Sequence, residues 1–341
     1  MYKFTSIDAF YQVARYIKKV NSDEECPDEY KIHGPIDFRG TVKLHGTNSG
    51  VTHDASSDEL VCQSRSRVIT SKDDNAGFAA FIENNKEAVL EIFHTIRDSY
   101  QLGNDKKITL YGEWIGPGIQ KGVAINELTE KQWVLFALKV SEEEKSYYVD
   151  IVPTLGENYK DNNIFSVFDG PKWNLTVDFG DTLSKEKAIL EFEKYTKEVE
   201  KECPWAKKFG ISGIGEGVVW QPLGIHWGKS DLFFKIKGEK HKATKTKSKK
   251  ESMDPEILKS IEEFIEFSLT ENRLNQGIDA LKEAGHEVGP QSTGHYLKWI
   301  GSDVQRECRL ELEDNGLEWK QVTKALNVRA RQFFLDKMKE M

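Results

Sequence analysis

The chain has 341 residues, of which 38% are hydrophobic, and a formal net charge of -8. That is enough apolar material for two ordinary cored domains, which excludes a disordered polymer. No apolar run approaches the ~18 residues of a membrane helix, and an acidic chain is poorly suited to coating nucleic acid indiscriminately, a behaviour that rests on a basic surface. The opening stretch MYKFTSIDAFYQVARYIKK is punctuated by Lys and Arg and has no secretory pattern. A cytoplasmic location, no membrane partner and a monomeric state are the corresponding expectations.

From Phe38 to Thr70, short β-prone runs (TVKLHG, SGVTHD, LVCQSRSRVIT) alternate with turn signals and predict strands. Phe78, Phe81, Ile82, Val89, Ile92, Phe93 and Ile96 recur near helical spacing and predict a helix over roughly 75–101. KITLYGEW and WVLFALKV predict two more strands, and a helix follows from Ser184, placed to cap it, to about Cys203. GVVWQP and LFFKIKG predict the last strands. Strands and helices mixed without a βαβ rhythm indicate an α+β domain with largely antiparallel sheets.

After Lys250 the pattern turns helical, over 257–284 and again over 317–341, and strand patterns nearly vanish. A boundary is therefore expected in the lysine-rich segment around 240–252, dividing the chain into residues 1–245 and a small, mostly α-helical unit, 246–341. The segment from Glu239 to Lys250, EKHKATKTKSKK, reads as a solvated linker or as a basic strip facing nucleic acid, and the two are compatible. Cys26, Cys62, Cys203 and Cys308 are widely scattered, so neither a disulfide framework nor a zinc site is expected.

Four features of the first unit each put a charged residue on or beside a strand near glycines. Lys43 lies in V-K-L-H-G-T-N, where Gly46 permits a tight turn and close approach of a ligand. Glu113 lies in Y-G-E-W, and Glu216 lies between two glycines in G-E-G-V-V-W. Lys235 and Lys237 alternate in F-F-K-I-K-G and so share a face of an otherwise apolar strand. Taken singly, each is an ordinary solvated or loop residue. Two lysines on one face of an apolar strand resist burial without a partner, because unpaired buried ammonium groups are costly, so together they call for an anion.

In order, K-L-H-G-T-N at Lys43 to Asn48, Y-G-E at Tyr111 to Glu113, F-A-L-K-V at Phe136 to Val140, E-G-V-V at Glu216 to Val219 and K-I-K at Lys235 to Lys237 resemble the motifs of the covalent nucleotidyltransferase superfamily. That superfamily holds DNA ligases, RNA ligases and messenger-RNA capping enzymes. DNA ligases and capping enzymes usually carry Lys-x-Asp-Gly, whereas Lys43-Leu44-His45-Gly46-Thr47-Asn48 resembles the Lys-x-His-Gly-Thr-Asn form. That form belongs to the branch with the second RNA ligase of T-even phages and the RNA-editing ligases. The resemblance covers roughly residues 38–240 and fails in the helical unit.

The resemblance implies an antiparallel-sheet nucleotidyltransferase domain and an ATP- and Mg²⁺-dependent RNA ligase that works through a lysyl-AMP on Lys43. Its RNA partner would be a nicked duplex or broken ends. It implies nucleotide contacts from Lys43, His45, Gly46, Asn48, Glu113, Phe136, Glu216, Lys235 and Lys237, with Lys43, Glu216, Lys235 and Lys237 catalytic. Either Glu216 or Glu113 would hold the metal, and Arg65 or Arg67, in S-R-S-R, would grip the 5′-phosphate, with Asn48 able to assist. Phe136 either stacks on adenine or is an ordinary core residue. A lysine nucleophile must lose its proton, and nearby cations, here Lys235, Lys237 and Mg²⁺, favour that loss. An ATP-dependent DNA ligase, a capping guanylyltransferase and a catalytically silent RNA-binding protein of the same fold compete. The first two usually place a strand-rich barrel after the last lysine motif, where this chain turns helical. Retention of every charged motif residue stands against the third.

Overall fold

Alternating apolar and polar runs form strands β1 (Asp8–Ala9), β2 (Pro35–Lys43), β3 (Thr47–Asp54), β4 (Glu59–Ser64), β5 (Lys107–Ile115), β6 (Gln132–Glu142), β7 (Lys145–Val149), β8 (Ile164–Ser166), β9 (Lys172–Asp178), β10 (Gly217–Pro222) and β11 (Phe234–Lys237). The helices are α1 (Phe10–Ser22), α2 (Phe78–Asn84), α3 (Lys86–Tyr100), α4 (Thr182–Lys201), α5 (Pro204–Lys207), α6 (Ile261–Ser268), α7 (Glu271–Glu283), α8 (Thr293–Glu307), α9 (Arg309–Asp314) and α10 (Trp319–Glu340). This computed structural model describes residues 1–142, 145–150, 157–241, 261–314 and 317–340. The chain divides into two units, Met1–Gly238 and Glu239–Met341.

In the first unit one sheet runs β1-β11-β10-β2-β9 and the other β4-β3-β5-β6-β7, with β8 beside β6. Among the described pairings only β1 with β11 and β6 with β8 are parallel. One face of the second sheet is buried under α2 and α3, whose Phe78, Val89, Ile92, Phe93 and Ile96 share a core with Leu110 and Leu138. Against the first sheet, Phe192 of α4 and Phe10 of α1 pack their rings with Phe234 at 5.2 Å each. The second unit has its own core, built from Phe264, Leu274, Tyr296, Ile300, Val304, Leu326 and Phe334, and no strand among its described residues. Buried Arg273 is held there by Asp303 and Glu307, each at 2.9 Å.

Several local expectations are corrected. The helix over 75–101 is two helices meeting at Asn85, and the helical stretch over 257–284 is interrupted at Leu269 and Thr270, where the Thr270 hydroxyl accepts from Arg273 N–H and caps α7. Residues 257–260 and most of the lysine-rich segment lie outside the described residues. The cap of α4 is Asp181, which accepts from Leu183 and Ser184 N–H, because its carboxylate can take two of the orphan donors. Ser184 instead accepts from Asp178 N–H at 3.0 Å. The run LVCQSRSRVIT is not one strand: β4 ends at Ser64, whose N–H donates to Arg67 C=O at 2.8 Å, so Arg65 and Arg67 belong to a turn.

A buried histidine lends the first unit a pH dependence. Arg97 Nε donates to His53 Nδ1 at 3.4 Å, so neutral His53 carries its proton on Nε2 and gives it to Asp58 Oδ1 at 3.0 Å. Burial pushes the His53 pKa below its ordinary value; the Asp58 hydrogen bond opposes this and the Arg97 charge adds to it. A histidine with a depressed folded-state pKa stabilises the fold above its unfolded value, about 6.5, and that contribution is lost as pH falls. Urea midpoints measured from about pH 8 to about pH 5 should therefore drop towards acid, and His53→Gln should flatten the slope.

Candidate active site

Strand register brings three separated motifs abreast. β10 lies between β2 and β11, with Gly217 opposite Lys43 on one side and Lys237 on the other. Glu216, one residue earlier, therefore enters between two lysines. Its side chain is 2% exposed. Oε2 accepts from Lys43 Nζ at 2.6 Å and lies 3.5 Å from His45 Nδ1, while Oε1 is 3.3 Å from Lys237 Nζ. Burial alone would push the Glu216 carboxyl up, but Lys43, Lys237 and His45 outweigh it and hold the pKa well below the usual carboxylate range. The three side chains around it stay partly open, at 20%, 21% and 16% exposure for Lys43, His45 and Lys237.

Two glycines make this approach possible. A Cβ on Gly217 would sit 2.1 Å from Ile236 C=O, so any side chain there would force β11 away from β10. A Cβ on Gly46 would sit 2.2 Å from Trp114 C=O, so the loop after Lys43 presses directly on the end of β5. That loop is pinned on both sides: Gly46 N–H donates to Glu113 Oε1 at 3.0 Å, and Gln120 Nε2 donates to Gly46 C=O at 3.3 Å. Asn48 lies opposite Glu113 in the β3–β5 register.

Lys43, His45, Glu216 and Lys237 thus form one ion cluster, with Gly46, Asn48 and Glu113 along its border. Lys235 is half-buried two residues before Lys237 on the same strand, opposite Val219. Phe136 sits at the irregularity where Tyr111 pairs with Ala137 and Gly112 with Leu135, and its ring meets Phe4 edge-on at 5.0 Å. Arg67 is committed to the turn, donating to Asp73 Oδ2 at 2.7 Å and Asp74 C=O at 3.1 Å. Arg65 is exposed. Because Ser64 pairs with Ser49, Arg65 stands at the same end of the sheet as Asn48.

Gln120 and Phe4 were not singled out by the sequence reading. For Gln120 the signal was the glycine-rich run from Trp114 to Gly122, in which Gly118 and Gly122 take positive φ of 77° and 76° and turn the chain back to the Lys43 loop. For Phe4 there was no signal, since an aromatic residue outside any periodic pattern reveals nothing of its neighbours.

A model of the family described as RNA ligase matches residues 36–237, more than half of the chain. No curated protein matches. Among solved structures the chain is similar to the Naegleria gruberi RNA ligase: a mutant with AMP and Mn (17% identity, TM-score 0.43), the protein with PPi (17%, 0.43) and a second mutant with ATP and Mn (17%, 0.44). Each match covers 70% of this chain and 56% of that one, so this chain corresponds to little more than half of that protein.

The close β10–β11 approach gives a direct test. Gly217→Ala should cost about 1–3 kcal/mol through overpacking against backbone, which for a unit of this size corresponds to a melting-point drop of roughly 2–12 °C. Thermal unfolding of the variant checks this. An unchanged melting point would mean that the strands are not held at this spacing.

Proposed function

Since the chain belongs to the RNA ligase family, we propose that it is an ATP-dependent RNA ligase whose nucleophile is Lys43. The observation that carries this reading is the placement of Lys43 Nζ against a buried carboxylate, with Lys237 on the other side.

The chemistry follows from that geometry. Lys43 Nζ attacks the α-phosphorus of ATP, forming a P–N bond as pyrophosphate leaves; AMP then passes to a 5′-phosphate RNA end, and a 3′-hydroxyl displaces it to seal the strand. Glu216 orients the lysine through its hydrogen bond, and because an ammonium group has no lone pair to offer, the nucleophile is the lysine in its neutral amine form. Lys237 and Lys235 face the charge that builds on the phosphate, in positions fixed before the reaction starts. Two carboxylates flank the Lys43–Gly46 loop, Glu216 on Lys43 and Glu113 on the Gly46 N–H. Such hard oxygen donors suit Mg²⁺, which takes few protein ligands and keeps its waters. Bound at Glu216, with Glu113 as the other candidate ligand, it would supply positive charge beside the phosphates.

Phe136 is the proposed adenine platform, Glu113 a ribose contact, Asn48 a phosphate or ribose contact, and His45 and Gly46 the wall of the nucleotide site. Arg65 is favoured over Arg67 for the RNA 5′-phosphate, because Arg67 is already engaged by Asp73 and Asp74. The helical unit and the lysine-rich segment are proposed to hold RNA, as a nicked duplex or as broken ends.

With labelled ATP and Mg²⁺ the protein should form a covalent AMP adduct that Lys43→Ala abolishes and that Glu216→Ala and Lys237→Ala each slow at least tenfold, about 1.4 kcal/mol or more of transition-state stabilisation. An adduct on the Lys43→Ala protein, or one formed with GTP alone, would overturn the assignment. Removing residues 252–341 should spare the adduct but cripple sealing. The full chain's sealing of nicked RNA should weaken as salt rises, since phosphate contacts are salt-sensitive. A panel of nicked duplex RNA, RNA–DNA hybrid and single strands measures this, and a truncated protein that seals as fast as the full chain at equal salt would sink the RNA-holding role.

A further inference from the structure

Residues 1–9 connect the two sheets: Asp8 and Ala9 form the edge strand of the first, and the residues before them run along the second. At one end Tyr2 is clamped: its N–H donates to Gln63 Oε1 at 3.1 Å, and its C=O accepts from Gln63 Nε2 at 2.7 Å and from Tyr111 Oη at 2.7 Å. Thr5 N–H donates to Tyr148 Oη at 3.1 Å. At the other end Asp8 and Ala9 pair with Phe234 and Lys235 of β11. The receiving surface is built for this. Gln63 is 1% exposed, and it closes on Tyr111 over Gly50, where a Cβ would lie 3.2 Å from Gln63 Cγ and 3.3 Å from the Tyr111 ring. Burial raises the pKa of both Tyr111 and Tyr148, which keeps their hydroxyl protons in place.

Between the two anchors Phe4 drops onto the second sheet, with ring centroids 5.2 Å from Tyr111, 5.0 Å from Phe136 and 5.6 Å from Tyr148. Strand alternation and register put Tyr111 on the same face as Glu113, two residues on, and Asn48 opposite Glu113. The strap therefore lies along the face that carries the nucleotide-site residues and not along the face under α2 and α3. Phe136 stands at a bulge, where the ladder fixes a side chain less firmly. Phe4, held at Tyr2 and Thr5 on either side, supplies the missing constraint.

We infer that residues 2–9 form a strap that sets the nucleotide site, with Phe4 a positioning residue that holds the Phe136 ring for base stacking while β1 holds the strand of Lys235 and Lys237. This rests on Phe136 being the adenine platform. A group acting through Phe136 alters how tightly ATP is held more than how fast Lys43 reacts once ATP is bound.

The test measures adduct formation against ATP concentration for the full chain and for Phe4→Ala, Phe4→Tyr, Phe136→Ala and the double variant. Phe4→Ala should raise KM for ATP about 3- to 10-fold, the range of one edge-on aromatic contact, with the rate at saturating ATP within about twofold of wild type. Phe4→Tyr should restore KM, and the double variant should be no worse than Phe136→Ala alone, because both act through one ring. An unchanged KM in Phe4→Ala, a loss confined to the saturated rate, or additive effects in the double variant would each overturn the strap. If Phe136→Ala leaves KM unchanged, the platform reading falls and the strap's role falls with it. A wild-type chain that forms no adduct and binds no ATP would remove the ligase reading as well.

Discussion

The buried Glu216 carboxylate is the constraint around which the first unit is arranged. Removing a carboxylate from water costs several kcal/mol even after relaxation, so a single partner does little more than break even. Near 4 Å a unit charge pair is worth roughly 4 kcal/mol at the effective dielectric of protein sites. With Lys43 at 2.6 Å and Lys237 at 3.3 Å, the two attractions exceed that cost. The partners are themselves only partly buried, so their own desolvation is smaller than that of Glu216. The anion is thus stable only where three chain segments meet, and the meeting of those segments is what makes a site.

Under the proposed function, an arrangement that is stable through its lysines is also one that polyphosphate enters. Lys43, Lys237 and the neighbouring Lys235 line one edge of the sheet, and Glu216 lies buried between Lys43 and Lys237. A ligand that brings its own negative charge can take over the lysines, while the carboxylate turns to another cation. On the proposed function the same residues serve the resting fold and the chemistry, each state satisfying the charges by a different pairing. The glycines at 46 and 217 contribute by absence: the Lys43 loop touches Trp114 and β11 touches β10 only because no side chain intervenes.

The two units differ along compositional lines. The described strands and the Glu216 ion cluster fall in Met1–Gly238, while the described residues of Glu239–Met341 are mostly helical, with their own apolar core and their own buried ion network around Arg273. Arg273 and Glu216 are the same physical problem with opposite signs, each solved by partners from elsewhere in the chain. In the helical unit the partners, Asp303 and Glu307, come from a single helix and lock two helices together.

Much of this was legible in the sequence because it is local. Period-2 alternation predicts that Lys235 and Lys237 share a strand face and the mix of strand and helix patterns predicts the α+β class, while Lys43, Glu113 and Glu216 stand out only by their glycine neighbours and are joined into one site by the motif resemblance. What tertiary structure alone decided was register and competition. Glu216 lies on Lys43 across 173 residues because Gly217 pairs with both Lys43 and Lys237, and no local pattern encodes that alignment. The same holds for smaller choices. Asp181 displaced Ser184 as the cap of α4 because its carboxylate takes two donors; Arg67 was claimed by Asp73 because the chain turns at Ser64; and Phe4 lies against Tyr111 and Phe136 because Gln63 and Tyr111 hold Tyr2 nearby. Propensity and periodicity report what a segment can do, whereas long-range pairing selects among those options by satisfying buried charges and polar groups that no segment can satisfy alone.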